Sequence, residues 1–406
     1  MNMTDIQVNE SRLIDLTQRL VQINSEYSEG IICNHDEIVD FLLHYSKEMG
    51  LEVHRAEPEK GYPVVMAKLP GSEGKPVLGF IGHYNTHPIG DIKRWNIDPL
   101  SGVVKDGYIW GRGVADMKKN ISAAIEAVHS VKESSVQLKG DVVLIWFAGE
   151  GHHDSALEYM ATDGRKFAPV DWYIDMDWCE GKIAKVAGPW VWLKIKTHGR
   201  NGHSALLRGD GSKPINAIGK MGRLITEMLN VDNWLQYHPH ELFNKSWRYS
   251  DKPIVEINTI QGGEKVNEVA DECTAMVDFR LLPGQSPQGL LEDLNALIER
   301  LRAEDDEFLP VDIDVFKTTY SRPWELTADH PVVKAIHESA QLVIGQKPEW
   351  QGLLFGSRPP LWEVAEVIHY GIAGGRDYHG FDESTRVEDL IQGAKIYVGM
   401  ILKLLK

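Results

Sequence analysis

Histidine nitrogens and carboxylate oxygens are the donors of a hydrolytic divalent-metal centre, and they recur in five short segments of this 406-residue chain. The segments are GHYNTHP at His83, GRGVADMKKN at Asp116, FAGEGHH at Glu150, YIDMDWC at Asp177 and GGRDYHGFDE at His379. Such a set could hold an ion that acidifies a water, with a spare carboxylate placed to take the proton. Each of the first four segments lies at or just after an apolar run that reads as a strand: KPVLGFIGH, DGYIWGRG, GDVVLIWFAGE and VDWYIDMD. An open α/β sheet places its site at the carboxyl ends of its strands. The pattern predicts a hydrolytic metal centre gathered at strand ends.

The elements that must do this gathering are legible in the hydrophobic pattern. Residues 11–25 and 35–50 carry apolar positions at helical spacing, and Gly50 is placed to end the second helix. LEVHRA and VVMAKLP read as strands, and NISAAIEAVHSVKES, just after Asp116, reads as a buried helix. This predicts an α/β catalytic domain, a mixed sheet flanked by helices. Near residue 190 the pattern changes: VWLKIKTHG, IVEINTIQGG, ECTAMVDFRLLP and VDIDVFKTT alternate like half-solvated strands beside two amphipathic helices. After Pro323 the chain returns to helix, strand, the His379 loop and a closing helix. We therefore expect residues 1–189 and 318–406 to form the metal-binding domain and residues 190–317 to form a smaller inserted α+β domain. A chain of this length supports two cores.

The formal net charge of -16 argues against nucleic acid and membrane surfaces as partners, because no basic stripe is present to meet phosphates. Three widely spaced cysteines, Cys33, Cys179 and Cys273, do not make a disulfide framework. With no export signal read at the N-terminus and no apolar run long enough to span a bilayer, the expected location is the cytoplasm.

GHYNTHP, WNIDP, DGYIWGRGVADMKKN, NGHSA, NTIQGGEKVNEVAD, DFRLLPG and HGFDES, in this order, resemble the aminoacylase and desuccinylase family of metallopeptidases, which includes glutamate carboxypeptidase and acetylornithine deacetylase. The resemblance implies a catalytic domain with a paired metal site and an inserted lid that mediates dimerisation. It further implies His83 as a metal ligand, Asp116 as the carboxylate bridging two ions, Asp177 as the acid on one ion and His379 as the ligand of the other. Glu150 is expected as the general base, and His203 would reach the partner's active site. Arg280 and Asn267 would hold a substrate carboxylate. Without the resemblance, His203 reads as a surface residue, Asp116 as a helix cap and Arg280 as half of a strand-face ion pair.

Three departures from the family pattern bear on the chemistry. Asn85 stands where the family has an aspartate, so an amide would orient the ligand histidine with less charge behind it. Only Glu150 stands where the family has two adjacent acids. One alignment makes Glu150 the base and puts Gly151 at the ligand position; the other makes Glu150 the ligand and leaves Gly149 where the base belongs. We take the first, because a glycine in place of the base abolishes the reaction while a lost ligand costs an ion. That leaves His379, with His152 or His153 beside it, as a thinned second site, and implies one tight Zn or Mn ion per subunit. Third, Arg358 in FGSRPP brings a cation suited to a planar anion, and Trp146, Trp178, Trp190, Trp192 and Trp362 near the motifs suggest a flat aromatic substrate.

The expected activity is metal-dependent hydrolysis of an amide or peptide C–N bond in a small carboxylate-bearing substrate. The alternatives are an aminohydrolase of an aromatic amine, of the nitroanthranilate type, releasing ammonia, and an inactive relative serving as a binding or scaffold protein. The expected assembly is a homodimer or higher homo-oligomer.

Overall fold

The computed structural model describes residues 6–27, 35–149, 155–177, 179–207, 209–244, 251–318, 326–353 and 358–406. It divides into two units, one of Met1–Ala184, Leu326–Trp350 and Pro360–Lys406, the other of Lys185–Glu325 and Gln351–Pro359. The second unit begins a few residues before 190 and also takes in 351–359. That short segment goes with it because the Gly188 amide donates to the Leu353 carbonyl at 2.8 Å and Gly352 lies directly against the Phe243 ring. Among the described residues no helix is long and apolar enough to cross a membrane.

In the first unit, six strands form one mixed sheet in the order Glu52–Ala56, Val64–Leu69, Asp141–Phe147, Val77–His83, Trp172–Asp175, Glu366–His369. The first two pairings are antiparallel and the last three parallel. Val77–His83 and Asp141–Phe147 are buried at every position, as parallel strands covered on both faces must be. Helix Lys119–Glu133 packs Ile121, Ile125, Val128 and Val131 into that core with no exposure. Each such side chain stabilises by roughly 1.5–3 kcal/mol.

A separate four-stranded sheet carries Gly375–Arg376, Ser384–Arg386, Tyr108–Trp110 and Val104–Lys105. This corrects the expectation that all four early motifs end strands of one sheet. DGYIW belongs to the small sheet, paired with the segments that flank the His379 loop.

The second unit contains an antiparallel sheet in the order Ile254–Gly262, Glu272–Arg280, Trp190–His198, Val311–Thr318. The alternating pattern of ECTAMVDFR puts Cys273, Ala275, Val277 and Phe279 on one buried face. Helices Ala217–Leu229 and Pro287–Glu304 close the core they form. Asn216 and Ser286 cap the two helices with side-chain oxygens.

Two glycines let the chain approach the site closely. A side chain on Gly82 would put its Cβ 2.7 Å from the Met117 Cε, and one on Gly113, at φ 79°, would meet the Thr86 Cγ2 at 2.2 Å. Gly113 adopts the left-handed conformation that side chains resist. Gly113→Ala should therefore destabilise the first unit by at least ~1–3 kcal/mol, measured as a lowered urea midpoint; an unchanged midpoint would show that the turn has room to relax.

Candidate metal centre

His83 ends strand Val77–His83, and Asp177 lies two residues past the end of its parallel neighbour, Trp172–Asp175. Asp116 arrives from a different direction, in the irregular turn Val114–Lys118 that leads from the small sheet into helix Lys119–Glu133. The three converge. One donor atom from each lies within 4.8 Å of the others, and all three side chains are buried. His83 Nε2 stands 3.1 Å from Asp116 Oδ1 and 3.9 Å from Asp177 Oδ1.

The His83 ring is turned by its other nitrogen, which pairs with the backbone carbonyl of Asn85 at 3.0 Å. The expected orienter was the Asn85 side chain; instead the main chain does the work, and Asn85 Oδ1 makes no hydrogen bond among the described residues. A backbone carbonyl that accepts from Nδ1–H fixes the ring so that Nε2 faces the carboxylates. Among the described residues neither His83 Nε2 nor Asp116 Oδ1 makes an aligned hydrogen bond despite their proximity. Buried polar atoms left so are costly, and two anionic oxygens with one imidazole nitrogen are the donor set a divalent ion satisfies. The residues fit a metal ion.

Electrostatics follow from this crowding. Burial alone pulls the His83 imidazole down, but the Asp116 carboxylate, with Asp177 behind it, outweighs that and holds the ring well above the ordinary histidine value. Burial alone would push Asp116 up, yet His83 and His379 hold it far below the usual carboxylate range. Two residues on, the buried Lys118 ammonium donates to the Ile23 carbonyl at 2.8 Å, and burial pushes it down to about 7.

His379 reaches the other oxygen of Asp116, with Nε2 2.8 Å from Oδ2. It sits in a turn at φ 59°, a conformation a non-glycine residue holds only when its surroundings impose it. Those surroundings are unusually directive. The buried Glu383 carboxylate accepts from the backbone N–H groups of Gly113, Ala115 and Asp116 at 2.9, 2.8 and 3.1 Å, and from Arg112 Nη1 at 2.8 Å. Arg112 also donates to the His379 carbonyl at 3.4 Å. WNIDP joins the same structure: the Asn96 backbone N–H donates to Asp382 at 2.8 Å, and Trp95 meets Phe381 edge-on. Asp116 thus does not cap its helix, since its backbone is claimed by Glu383 and its carboxylate by two histidines.

The sequence reading overlooked several of these residues. Glu383 lies in HGFDES, four residues after His379, where its local pattern is that of an ordinary surface acid. His87, the second histidine of GHYNTHP, lies against the His379 ring with centroids 3.4 Å apart, and its place in that motif is the signal for it in the sequence. Asp175 and His369, at the ends of adjacent strands, pair at 3.2 Å while almost fully buried, and Asp175 Oδ1 accepts from the Asp177 N–H at 3.3 Å.

Other expected site residues are placed as follows. His203 and Asn267 are exposed in the second unit and lie close together, where Gly202–His203 pairs with Glu268–Val269 and the Ser204 N–H donates to the Asn267 carbonyl at 3.2 Å. Arg280, also in the second unit, is held by Asp278 through Nε at 2.9 Å and a terminal nitrogen at 2.8 Å. Arg358 is buried. Trp146 is a core residue with no exposure, not a pocket wall; Trp190 and Trp192 pack on each other in the second unit, and Trp362 packs in the first. Glu150, His152, His153, Trp178 and Cys33 lie outside the described residues.

Comparison with known proteins agrees with this geometry. An N-formyl-4-amino-5-aminomethyl-2-methylpyrimidine deformylase of Bacillus subtilis is 23% identical, with 98% of this chain and 95% of that protein covered. An acetylornithine deacetylase of Vibrio parahaemolyticus is 28% identical over 75% of this chain and 76% of its own. Among solved structures, human carnosine dipeptidase 1 superposes with a TM-score of 0.76 at 15% identity, covering 99% of this chain and 98% of that one. A tripeptidase of Staphylococcus aureus gives 0.76 at 20% identity, covering 97% and 98%; these two are likenesses of fold. The sequence model described as peptidase family M20/M25/M40 matches residues 79–403, a span that contains His83, Asp116, Asp177 and His379. The chain belongs to that family, the metal-dependent hydrolases that cleave C–N bonds.

Proposed function

We propose that this chain hydrolyses the amide bond of a small carboxylate-bearing substrate, with Glu150 as general base. The observation that carries the reading is the buried His83–Asp116–Asp177 cluster, in which one donor atom of each residue lies within 4.8 Å of the others. An ion bound there supplies an acidified water. Glu150 follows by three residues the end of strand Asp141–Phe147, whose last residue is in register with His83. Its carboxylate takes the proton of the attacking water and returns it to the departing nitrogen. We assign one tight Zn or Mn ion to each subunit, because Gly151 supplies no ligand on the His379 side; two ions retained at full occupancy after dialysis would instead make Glu150 a ligand.

Names of relatives guide the choice of substrate. The deacetylase and the succinyl-diaminopimelate desuccinylase of Thioalkalivibrio sulfidiphilus are named for N-acylated amino acids. Arg280, Asn267 and Arg358 are the groups we assign to the substrate's carboxylate. The deformylase is named for an amide on an aminomethylpyrimidine, so ring-bearing amides belong in the same screen. N-acyl amino acids, dipeptides, N-formyl aryl amines and substituted anthranilates should be scored for release of amine or ammonia. Ammonia from anthranilates alone would replace the amide reading with the aminohydrolase one. The buried positions of Cys179 and Cys273 and the small number of cysteines suit a reducing cytoplasm.

Binding of the ion should displace the proton that Asp116 and Asp177 hold on His83. The sign follows from the raised value: below it the imidazole is protonated and competes, so Mn²⁺ affinity should rise with pH by up to about tenfold per unit until that value is passed. Calorimetry in buffers of different ionisation enthalpy checks this; binding without proton release would show that His83 is not a ligand.

Glu150→Gln should leave metal content intact while turnover falls by roughly 10²–10⁴. His83→Ala should lose metal and activity together. Loss of metal from Glu150→Gln would put the acid among the ligands and send the search for the base to His152, His153 or Asp154.

We also propose that the second unit mediates dimerisation and that His203 of a second copy completes the site by stabilising the developing oxyanion. Mixing His203→Ala subunits with Glu150→Gln subunits should then restore part of the activity, and mixtures as inactive as their parents would rule out sharing between copies.

A further inference from the structure

Lys119 opens helix Lys119–Glu133, three residues past Asp116, and its side chain is completely buried. A buried ammonium requires compensation by acceptors, and this one has three. It pairs with the Glu180 carboxylate, lies 3.2 Å from the Tyr378 hydroxyl and donates to the Ala373 carbonyl at 3.4 Å. Three acceptors match the three protons of an ammonium group.

The identity of the partners gives the contact its meaning. Glu180 stands three residues beyond Asp177, and its second oxygen accepts from the Gly375 N–H at 3.0 Å. Tyr378 is the neighbour of His379, Gly375 opens the short strand Gly375–Arg376 that leads to it, and Ala373 lies two residues before that strand. Asn120, next to Lys119, accepts from the Ile372 N–H at 2.8 Å. One buried cation therefore ties the segment after Asp116 to the loop after Asp177 and to the loop that presents His379. Both loops contain residues at left-handed φ, 42° at Glu180 and 59° at His379, which need such external constraint to persist.

We propose that Lys119 is a positioning residue of the metal centre, setting the placement of Asp177 and His379 about Asp116 through Glu180 and Tyr378. This rests on the assignment of those residues as the ion's ligands. Stability alone is a poor account of the cluster, since a buried ion pair can often be replaced by apolar groups at little cost. What an apolar group would not supply is direction: fixed bonds to Glu180, three residues beyond Asp177, and to Tyr378, next to His379.

The test uses the full chain, stripped of metal with a chelator and titrated with Mn²⁺, in wild type, Lys119→Met, Lys119→Arg and Glu180→Gln. The expected result is an affinity lower by roughly 10–100-fold in Lys119→Met and Glu180→Gln, with most of it retained in Lys119→Arg. The visible bands of the Co²⁺-loaded protein should shift in the two weakened variants. Unchanged Mn²⁺ affinity and Co²⁺ bands in folded variants, even with a lowered unfolding midpoint, would overturn the proposal and leave Lys119 a structural residue. Should Lys119→Met fail to fold, Glu180→Gln decides, because its carboxylate is at the edge of the cluster and keeps its shape. A wild-type chain that binds no Mn²⁺ would refute the ligand assignment itself, a different failure from equal binding by all four proteins.

Discussion

Glu383 is a carboxylate buried almost completely, with three backbone N–H groups and one guanidinium pointed at it. Much of the first unit's site depends on this arrangement. Burial pushes the carboxyl upward, the Gly113 N–H pulls it back, and the negative charge of Asp116 nearby pushes it up again. Removing either member of the Glu383–Arg112 pair would strand the other, a change that costs about 3–5 kcal/mol in buried pairs. The turn that carries Asp116 has no helix of its own to satisfy its amides; Glu383 satisfies them, and Arg112 extends the same network to the His379 carbonyl. The segments of Asp116 and His379, 263 residues apart, are thereby made parts of one local structure.

The centre has two kinds of support. His83 and Asp177 stand on adjacent parallel strands and inherit the rigidity of a fully buried sheet. Asp116 and His379 stand on turns, fixed by polar contacts to Glu383, Lys119 and Asp382. Packed strands resist displacement through the many small contacts of a dense core. The turns resist it through a few directional bonds whose loss exposes unsatisfied groups. A metal site assembled from both draws the rigidity of one side from packing and of the other from directional bonds.

Electrostatics point the same way. Two carboxylates and an imidazole share a space from which water is largely excluded, so each charge is sensitive to its neighbours. In such a cluster a proton on His83 and a divalent cation are competing answers to the same excess of negative charge. The protein's overall acidity is a separate matter, since the net charge of -16 is spread over the surface and governs partners at long range.

The amino-acid sequence by itself determined the alternation of apolar residues, and with it the strands Val77–His83, Asp141–Phe147 and Trp172–Asp175, the helix after Asp116, and the change of pattern near residue 190. It also displayed His83, Asp116, Asp177 and His379, because side-chain chemistry and strand-end position are local properties. What it could not display was partnership across distance. That the Asn85 backbone, not its side chain, orients His83; that Trp146 is core; that Asp278 holds Arg280; that DGYIW pairs with the flanks of His379 in a second sheet: each depends on which surfaces meet after folding. Lys119, Glu180 and Glu383 carry ordinary charged side chains in ordinary local patterns. Only burial together, where each must find the others or leave a charge unmatched, made them parts of the site.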